Sequence, residues 1–243
     1  MQLLIIRHGD PDYSIDSLTE KGWKEAELLA DRISRLDIKD FYVSPLGRAK
    51  DTAKLTLEKM NREAVELPWL QEFFRAEIAR PDVESRTIAW DWLPQDWMSE
   101  EKFYDKEKWL DTPVMQDSII AQEYKWVTDG LDALLAGHGY VRSGNCYHVE
   151  KANTDKIVLF CHFGVECVML SHLLGISPMV LWHGFCAAPT SVTTVNTEER
   201  RKGIASFRVS AFGDISHLYA ADEPASFQAR FCECYGKDGE RVD

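Results

Sequence analysis

Two short apolar runs constrain this chain more than any other feature. Leu3-Leu4-Ile5-Ile6 and Ile157-Val158-Leu159-Phe160-Cys161 are unbroken, the pattern of central strands covered on both faces. Such strands need helices above and below them, and the intervening sequence supplies helical spacing. Thr19 can cap a helix carrying Trp23, Ala26, Leu29, Ala30 and Ile33, and a second helix runs from about Gly47 with Ala49, Ala53, Leu55 and Leu57. Phe41-Tyr42-Val43 and Val65-Glu66-Leu67-Pro68 read as further strands. Strands alternating with helices predict parallel β-α-β units, hence an α/β fold: a three-layer sandwich around a mostly parallel central sheet.

The later chain keeps this rhythm with one interruption. Ser118 to Leu135 has helical periodicity, with Gly137 as the expected C-cap. Tyr140-Val141 and Tyr147-His148-Val149 flank Ser143-Gly144-Asn145, which predicts a hairpin. A helix is expected after His162-Phe163-Gly164, ending at Gly175, and Ser191–Val195 with Ile204–Val209 read as a final antiparallel pair. The stretch at about 80–115 departs from the pattern. It holds Trp90, Trp92, Trp97 and Trp109, half of the chain's tryptophans, punctuated by Pro81, Pro94 and Pro113. It reads as a helical insertion over the sheet or the site, its aromatics either pinning the excursion to the core or lining a substrate. The whole is one domain over residues 1–243, with that insertion and a polar C-terminal extension from about 222.

Charge narrows the partners. With 28 Lys+Arg against 40 Asp+Glu, the net charge of -12 argues against nucleic acid or an anionic membrane as partner. No apolar run approaches the span of a bilayer, and the opening Met1-Gln2-Leu3-Leu4-Ile5-Ile6-Arg7 is too soon charged for a secretory signal; a cytoplasmic protein is expected. The six cysteines lack the spacing of a disulfide framework. Cys146 with His148 and Cys232-Glu-Cys234 are only fragments of metal-binding patterns, so no metal site is expected.

A phosphate pocket needs only a few local cations, and the strand ends deliver them. Arg7 and His8 follow the first strand, His162 follows the run at 157–161, and Arg48 lies a few residues beyond a third strand. In a parallel α/β sheet the carboxyl ends of the strands form the ligand crevice, so these residues can converge. Two guanidiniums, two imidazoles and backbone N–H groups at helix starts suit a small, multiply charged anion. Arg forks match phosphate oxygens bidentately. Arg48, placed in an early helix turn, opposes the helix dipole, which makes better sense if an anion is bound nearby. His138, His148, His172 and His183 read as packed or capping residues, and Thr19, Glu20 and Thr52 as structural.

These residues also carry a resemblance. Arg7-His8-Gly9 after an N-terminal strand resembles the signature of the histidine phosphatase superfamily, the phosphoglycerate-mutase-like proteins. Leu18-Thr19-Glu20-Lys21-Gly22 is similar to the start of that family's first helix, and Ser44-Pro45-Leu46-Gly47-Arg48-Ala49-Lys50-Asp51-Thr52-Ala53 to its second-arginine motif. Cys161-His162-Phe163-Gly164 resembles its second histidine, and Pro189-Thr190-Ser191-Val192 its entry to a late strand. The resemblance implies a phosphoglycerate-mutase-like fold and a small phosphorylated substrate, handled without cofactor or metal. His8 would be the nucleophile that becomes a phosphohistidine, Arg7 and Arg48 would hold the phosphoryl oxygens, and His162 would be a further donor, with Phe163 in the substrate-binding set. In Leu70-Gln71-Glu72-Phe73-Phe74-Arg75-Ala76-Glu77 the proton donor would be Glu72, with Glu77 in reserve. The family's mutases carry an Asn-Glu-Arg phrase here, and Glu72-Phe73-Phe74 lacks it. The expectation is therefore a phosphatase acting on a small phosphomonoester. The alternatives are a phosphoglycerate-mutase-type transferase and a non-catalytic phosphate-binding member.

Overall fold

The computed structural model describes residues 1–226 and residue 228. The chain runs β1 (Gln2–Arg7), α1 (Glu20–Ile33), β2 (Asp40–Val43), α2 (Gly47–Met60) and β3 (Val65–Glu66). After a long stretch of short pieces come α3 (Ile120–Gly137), β4 (Tyr140–Ser143), β5 (Cys146–Val149), β6 (Lys156–Cys161) and α4 (Phe163–Leu174). The chain then continues through α5 (Pro178–Gly184), β7 (Val192–Arg201), β8 (Ile204–Asp214) and α6 (Ser216–Ala220). The eight strands form one sheet in the order β3-β2-β6-β1-β7-β8-β5-β4. β3, β2, β6 and β1 pair in parallel, and the pairings from β1 through β7, β8 and β5 to β4 are antiparallel.

The two apolar runs are the adjacent central strands β1 and β6, and their residues alternate between two cores as the period of a strand demands. Leu3, Ile5, Ile157, Leu159 and Cys161 join the core that holds α3 and α4. Leu4, Ile6, Val158 and Phe160 join the other, with Leu29 and Ile33 of α1 and Ala49 and Ala53 of α2. Helices thus cover both faces of the sheet. Thr19 caps α1, its side chain accepting from the Gly22 N–H at 3.0 Å.

The structure departs from the sequence reading in several places. α3 ends at Gly137, but the residue that turns the chain in the left-handed region is Gly139 (φ +91°). Helix α5, opened by Ser177 and Pro178, was not expected, since its apolar residues continue one another without a visible period. The final strands are longer than their apolar stretches, because backbone pairing carries them past their buried residues. The stretch between β3 and α3 holds the short helices Pro94–Trp97 and Pro113–Gln116 and a two-residue ladder, Ile78–Ala79 with Arg86–Thr87. Trp97 and Trp109 are buried in the core. The described part of the expected surface extension returns to the body. Lys21 Nζ lies 2.7 Å from Glu223, the Ser226 hydroxyl donates to Asp10, and the Gln228 carbonyl accepts from Arg7 at 3.3 Å. Cys232 and Cys234 lie outside the described residues.

Candidate active site

The parallel register brings the strand ends level. Arg7 is paired with Cys161 and Phe160 with Val43, so His8, His162 and Ser44 emerge side by side at the carboxyl edge. Backbone hydrogen bonds hold them there: His8 N–H to the Cys161 carbonyl at 3.0 Å and Ser44 N–H to the Phe160 carbonyl at 2.9 Å. The imidazoles of His8 and His162 stand 5.0 Å apart, centroid to centroid, tilted by 57°. Arg7, His8, Arg48 and His162 are all buried, and both guanidiniums act electrostatically on both imidazoles. The four residues expected to converge are brought together.

The imidazole of His8 has a defined proton. The Nδ1 of His8 lies 2.7 Å from the Gly9 carbonyl. A carbonyl only accepts, so Nδ1 carries the hydrogen and Nε2 keeps its lone pair. Burial, then Arg7 and Arg48, push the pKa of His8 well below its ordinary value, so the ring is neutral. His162 is pushed down likewise, by burial, His8 and the two arginines. Its Nε2 lies 2.7 Å from the Ser44 hydroxyl, which already accepts from the Leu46 N–H at 3.2 Å. A hydroxyl has one proton and two acceptor lone pairs, so Ser44 either donates to Nε2, which leaves the hydrogen of His162 on Nδ1, or accepts from it. That Nδ1, Arg7 Nε and Arg48 Nε are buried without a partner among the described residues. Leaving the two guanidinium donors unmet costs about 1–3 kcal/mol each, and the oxygens of a phosphoryl group are of the right chemistry to meet them.

The guanidiniums are held from behind. Arg7 donates to the Ala187 carbonyl at 2.6 Å. Arg48 donates to Asp16 at 2.5 Å and lies 5.4 Å from the centroid of the Tyr13 ring. The placement of Arg48 pointed to a bound anion; the anion beside it in the structure is the chain's own Asp16. Its second oxygen accepts from the Gly47 N–H at 2.7 Å, where the capping residue Leu46 has no side-chain acceptor to offer α2. Thr52 bridges the two motifs, accepting from the Gly9 N–H at 2.9 Å and donating to the Arg48 carbonyl at 2.7 Å.

The two carboxyl candidates part company. Glu72 Oε1 accepts from the Phe73 and Val165 N–H groups at 2.8 and 3.1 Å, at the start of α4, and Arg48 and Arg7 act on it. Burial nonetheless pushes its pKa up, favouring the protonated form. Glu77 is exposed, and its backbone carbonyl accepts from Ser118 and Arg86. Phe163 opens α4, and its side chain is buried in the core. Glu166, which sequence reasoning passed over, lies one turn into α4. Burial pushes it up to about 7, offset in part by Thr193 and Arg7. No local period marks Asp16, Ser44 or Glu166 as partners of the site. Only the contiguity of Ser44 and Asp16 with the two recognised motifs could have signalled them.

Comparison with known proteins points the same way. The profile of the histidine phosphatase superfamily (branch 1) matches residues 3–118. A 2,3-bisphosphoglycerate-dependent phosphoglycerate mutase of Thermoplasma acidophilum is 38% identical over 72 residues, which span 26% of this chain and 36% of that relative. Phosphoserine phosphatase 1 of Hydrogenobacter thermophilus is 23% identical over 220 residues, 86% of this chain and 93% of the relative. Among solved structures, a phosphoserine phosphatase variant from Entamoeba histolytica in complex with phosphoserine superposes with a TM-score of 0.56 at 19% identity. It covers 89% of this chain and 98% of its own. A mycobacterial glucosyl-3-phosphoglycerate phosphatase in complex with VO3 gives 0.56 at 19% identity, covering 87% and 98%. At these identities the structural likeness is one of fold.

Proposed function

We propose that the chain, residues 3–118 of which match the profile of the histidine phosphatase superfamily, is a phosphatase hydrolysing a small phosphomonoester through a phosphohistidine on His8. The observation that carries this reading is the hydrogen bond from His8 Nδ1 to the Gly9 carbonyl, which leaves a neutral Nε2 lone pair between two guanidiniums and a second imidazole. Nε2 attacks phosphorus while the bond to the ester oxygen breaks on the opposite side. Arg7, Arg48 and, with its hydrogen on Nδ1, His162 stabilise the charge spread over the equatorial oxygens. Glu72, protonated, gives its proton to the departing alkoxide. As a carboxylate it then takes a proton from water, whose oxygen attacks phosphorus. The N–P bond breaks, its electron pair returns to Nε2, and phosphate leaves.

Supporting hydrolysis over transfer, Glu72-Phe73-Phe74 lacks the Asn-Glu-Arg phrase of the family's mutases. The match to the Thermoplasma mutase favours the second reading, a transferase returning the group to a bound acceptor. One experiment separates the readings. The protein is mixed with a phosphate-labelled monoester and quenched in alkali, where phosphohistidine survives. The label is expected on wild type, with release of inorganic phosphate. For His8→Ala, no label and a rate lower by at least about 10³-fold are expected. Passage of the label to a second alcohol identifies a transferase. Unaltered turnover by His8→Ala removes the proposal.

A further inference from the structure

In-line displacement sends the leaving group away from His8 and past the proton donor, so whatever flanks Glu72 touches the alcohol. That neighbour is Trp90. At Gly164 an added Cβ would lie 2.6 Å from Glu72 Oε1, 2.5 Å from Trp90 Cζ3 and 2.6 Å from its Cη2. The benzo edge of the indole and the carboxyl therefore sit against the same α-carbon. Trp90 is half-buried and braced from behind. Its ring lies 6.3 Å from that of Trp182, whose Nε1 donates to the Gly164 carbonyl at 3.0 Å, and Trp109 packs on Trp182 in turn at 6.0 Å. Trp97 and Trp109 are buried in the core, whereas Trp90, half-buried against that core, also lies beside Gly164 with Glu72.

The cations named near this wall already have partners or a place at the imidazoles. Arg7 and Arg48, the cations acting on both imidazoles, are engaged at the phosphoryl position. The insertion's Arg80 is paired with Asp82 and Asp91, and Arg86 with Asp117. Carboxyls stand at the site as well: Asp16 against Arg48, and Glu72 and Glu166, whose charges act on each other. A carboxylate on the leaving group would meet the carboxyls of Glu72 and Glu166, whereas an apolar ring would meet an indole held in place.

Resting on the hydrolase reading, we propose that the substrate is a phosphomonoester of a neutral, ring-bearing alcohol, and that Trp90 selects it by packing against the leaving group. An aromatic contact of this kind corresponds to roughly tenfold in kcat/KM. The test compares 2-phenylethyl phosphate, n-butyl phosphate and O-phospho-L-serine on wild type, Trp90→Phe and Trp90→Ala. The inhibition constant of vanadate, which carries no leaving group, is measured alongside. Wild type is expected to favour the phenylethyl ester over both others by about tenfold or more. Trp90→Phe keeps that order and Trp90→Ala loses it, while vanadate inhibition stays within about twofold in all three. Preference for phosphoserine overturns the proposal, as does an equal loss on every substrate and on vanadate in both variants. Failure of wild type to hydrolyse any ester overturns the hydrolase reading itself, and this proposal with it.

Discussion

The Gly9 carbonyl decides what His8 can do, because it fixes which ring nitrogen carries the hydrogen. Arg7, His8, Arg48 and His162 were legible in the sequence, since each stands beside a strand end and within a contiguous motif. Asp16 was not, for its link to Arg48 depends on a left-handed backbone (φ +50°) that returns its carboxylate to the start of α2. Glu72 carries the prediction at this scale. Burial raises its pKa, and as proton donor it works only when protonated, so kcat/KM is expected to fall as pH rises through that raised value. His8, held well below its ordinary pKa of 6.5, stays neutral and imposes no loss until well into the acid range. Glu72→Gln is expected to cost about 10²–10⁴-fold on an alkyl phosphate and much less on p-nitrophenyl phosphate, whose leaving group needs no proton. Equal losses on both esters would falsify the assignment.

Helix starts are the working parts at the next scale. α2 presents Arg48 and α4 presents backbone N–H groups to Glu72, and each follows a strand whose end is pinned by its parallel neighbour. Two glycines should respond with opposite signs. Gly164 has no room for a methyl between Trp90 and Glu72, so Gly164→Ala is expected to destabilise by about 1–3 kcal/mol and to lower activity. Gly137 closes α3 with ordinary φ and nothing within 4 Å of an added Cβ. Gly137→Ala is therefore expected to stabilise by about 0.4–1 kcal/mol through the unfolded chain. Urea denaturation of both variants checks the pair. The major strands and helices were legible from their periods. Helix α5 and the pieces between β3 and α3 were not, because their apolar residues answer to neighbours far along the chain.

Across the whole molecule, buried acids and buried histidines pull the pH dependence of stability in opposite directions. Glu25 and Glu166 are pushed up to about 7 by burial, so the folded chain keeps protons that the unfolded chain, near 4.5, has released. The stability they contribute is complete below about pH 4.5 and lost as pH rises through 7. His217, lowered to about 4 by burial, acts the other way: the unfolded chain takes up its proton first, and stability falls as pH drops from about 6.5 towards 4. Glu25→Gln removes one acid from this balance. Relative to wild type, its unfolding free energy is expected to move in the variant's favour between pH 5 and pH 8; an unchanged difference over that range contradicts the buried-acid account. The sequence by itself determined the α/β class, the two central strands and the order of the motifs that carry Arg7, His8, Arg48 and His162, because period and contiguity are local properties of a chain. Only the tertiary structure decided that Asp16 backs Arg48, that Ser44 orients His162, that Trp90 lies beside Gly164 with Glu72 and that Glu166 lies buried near Arg7. Those contacts join separate elements, and it is the register of the parallel strands that sets them side by side.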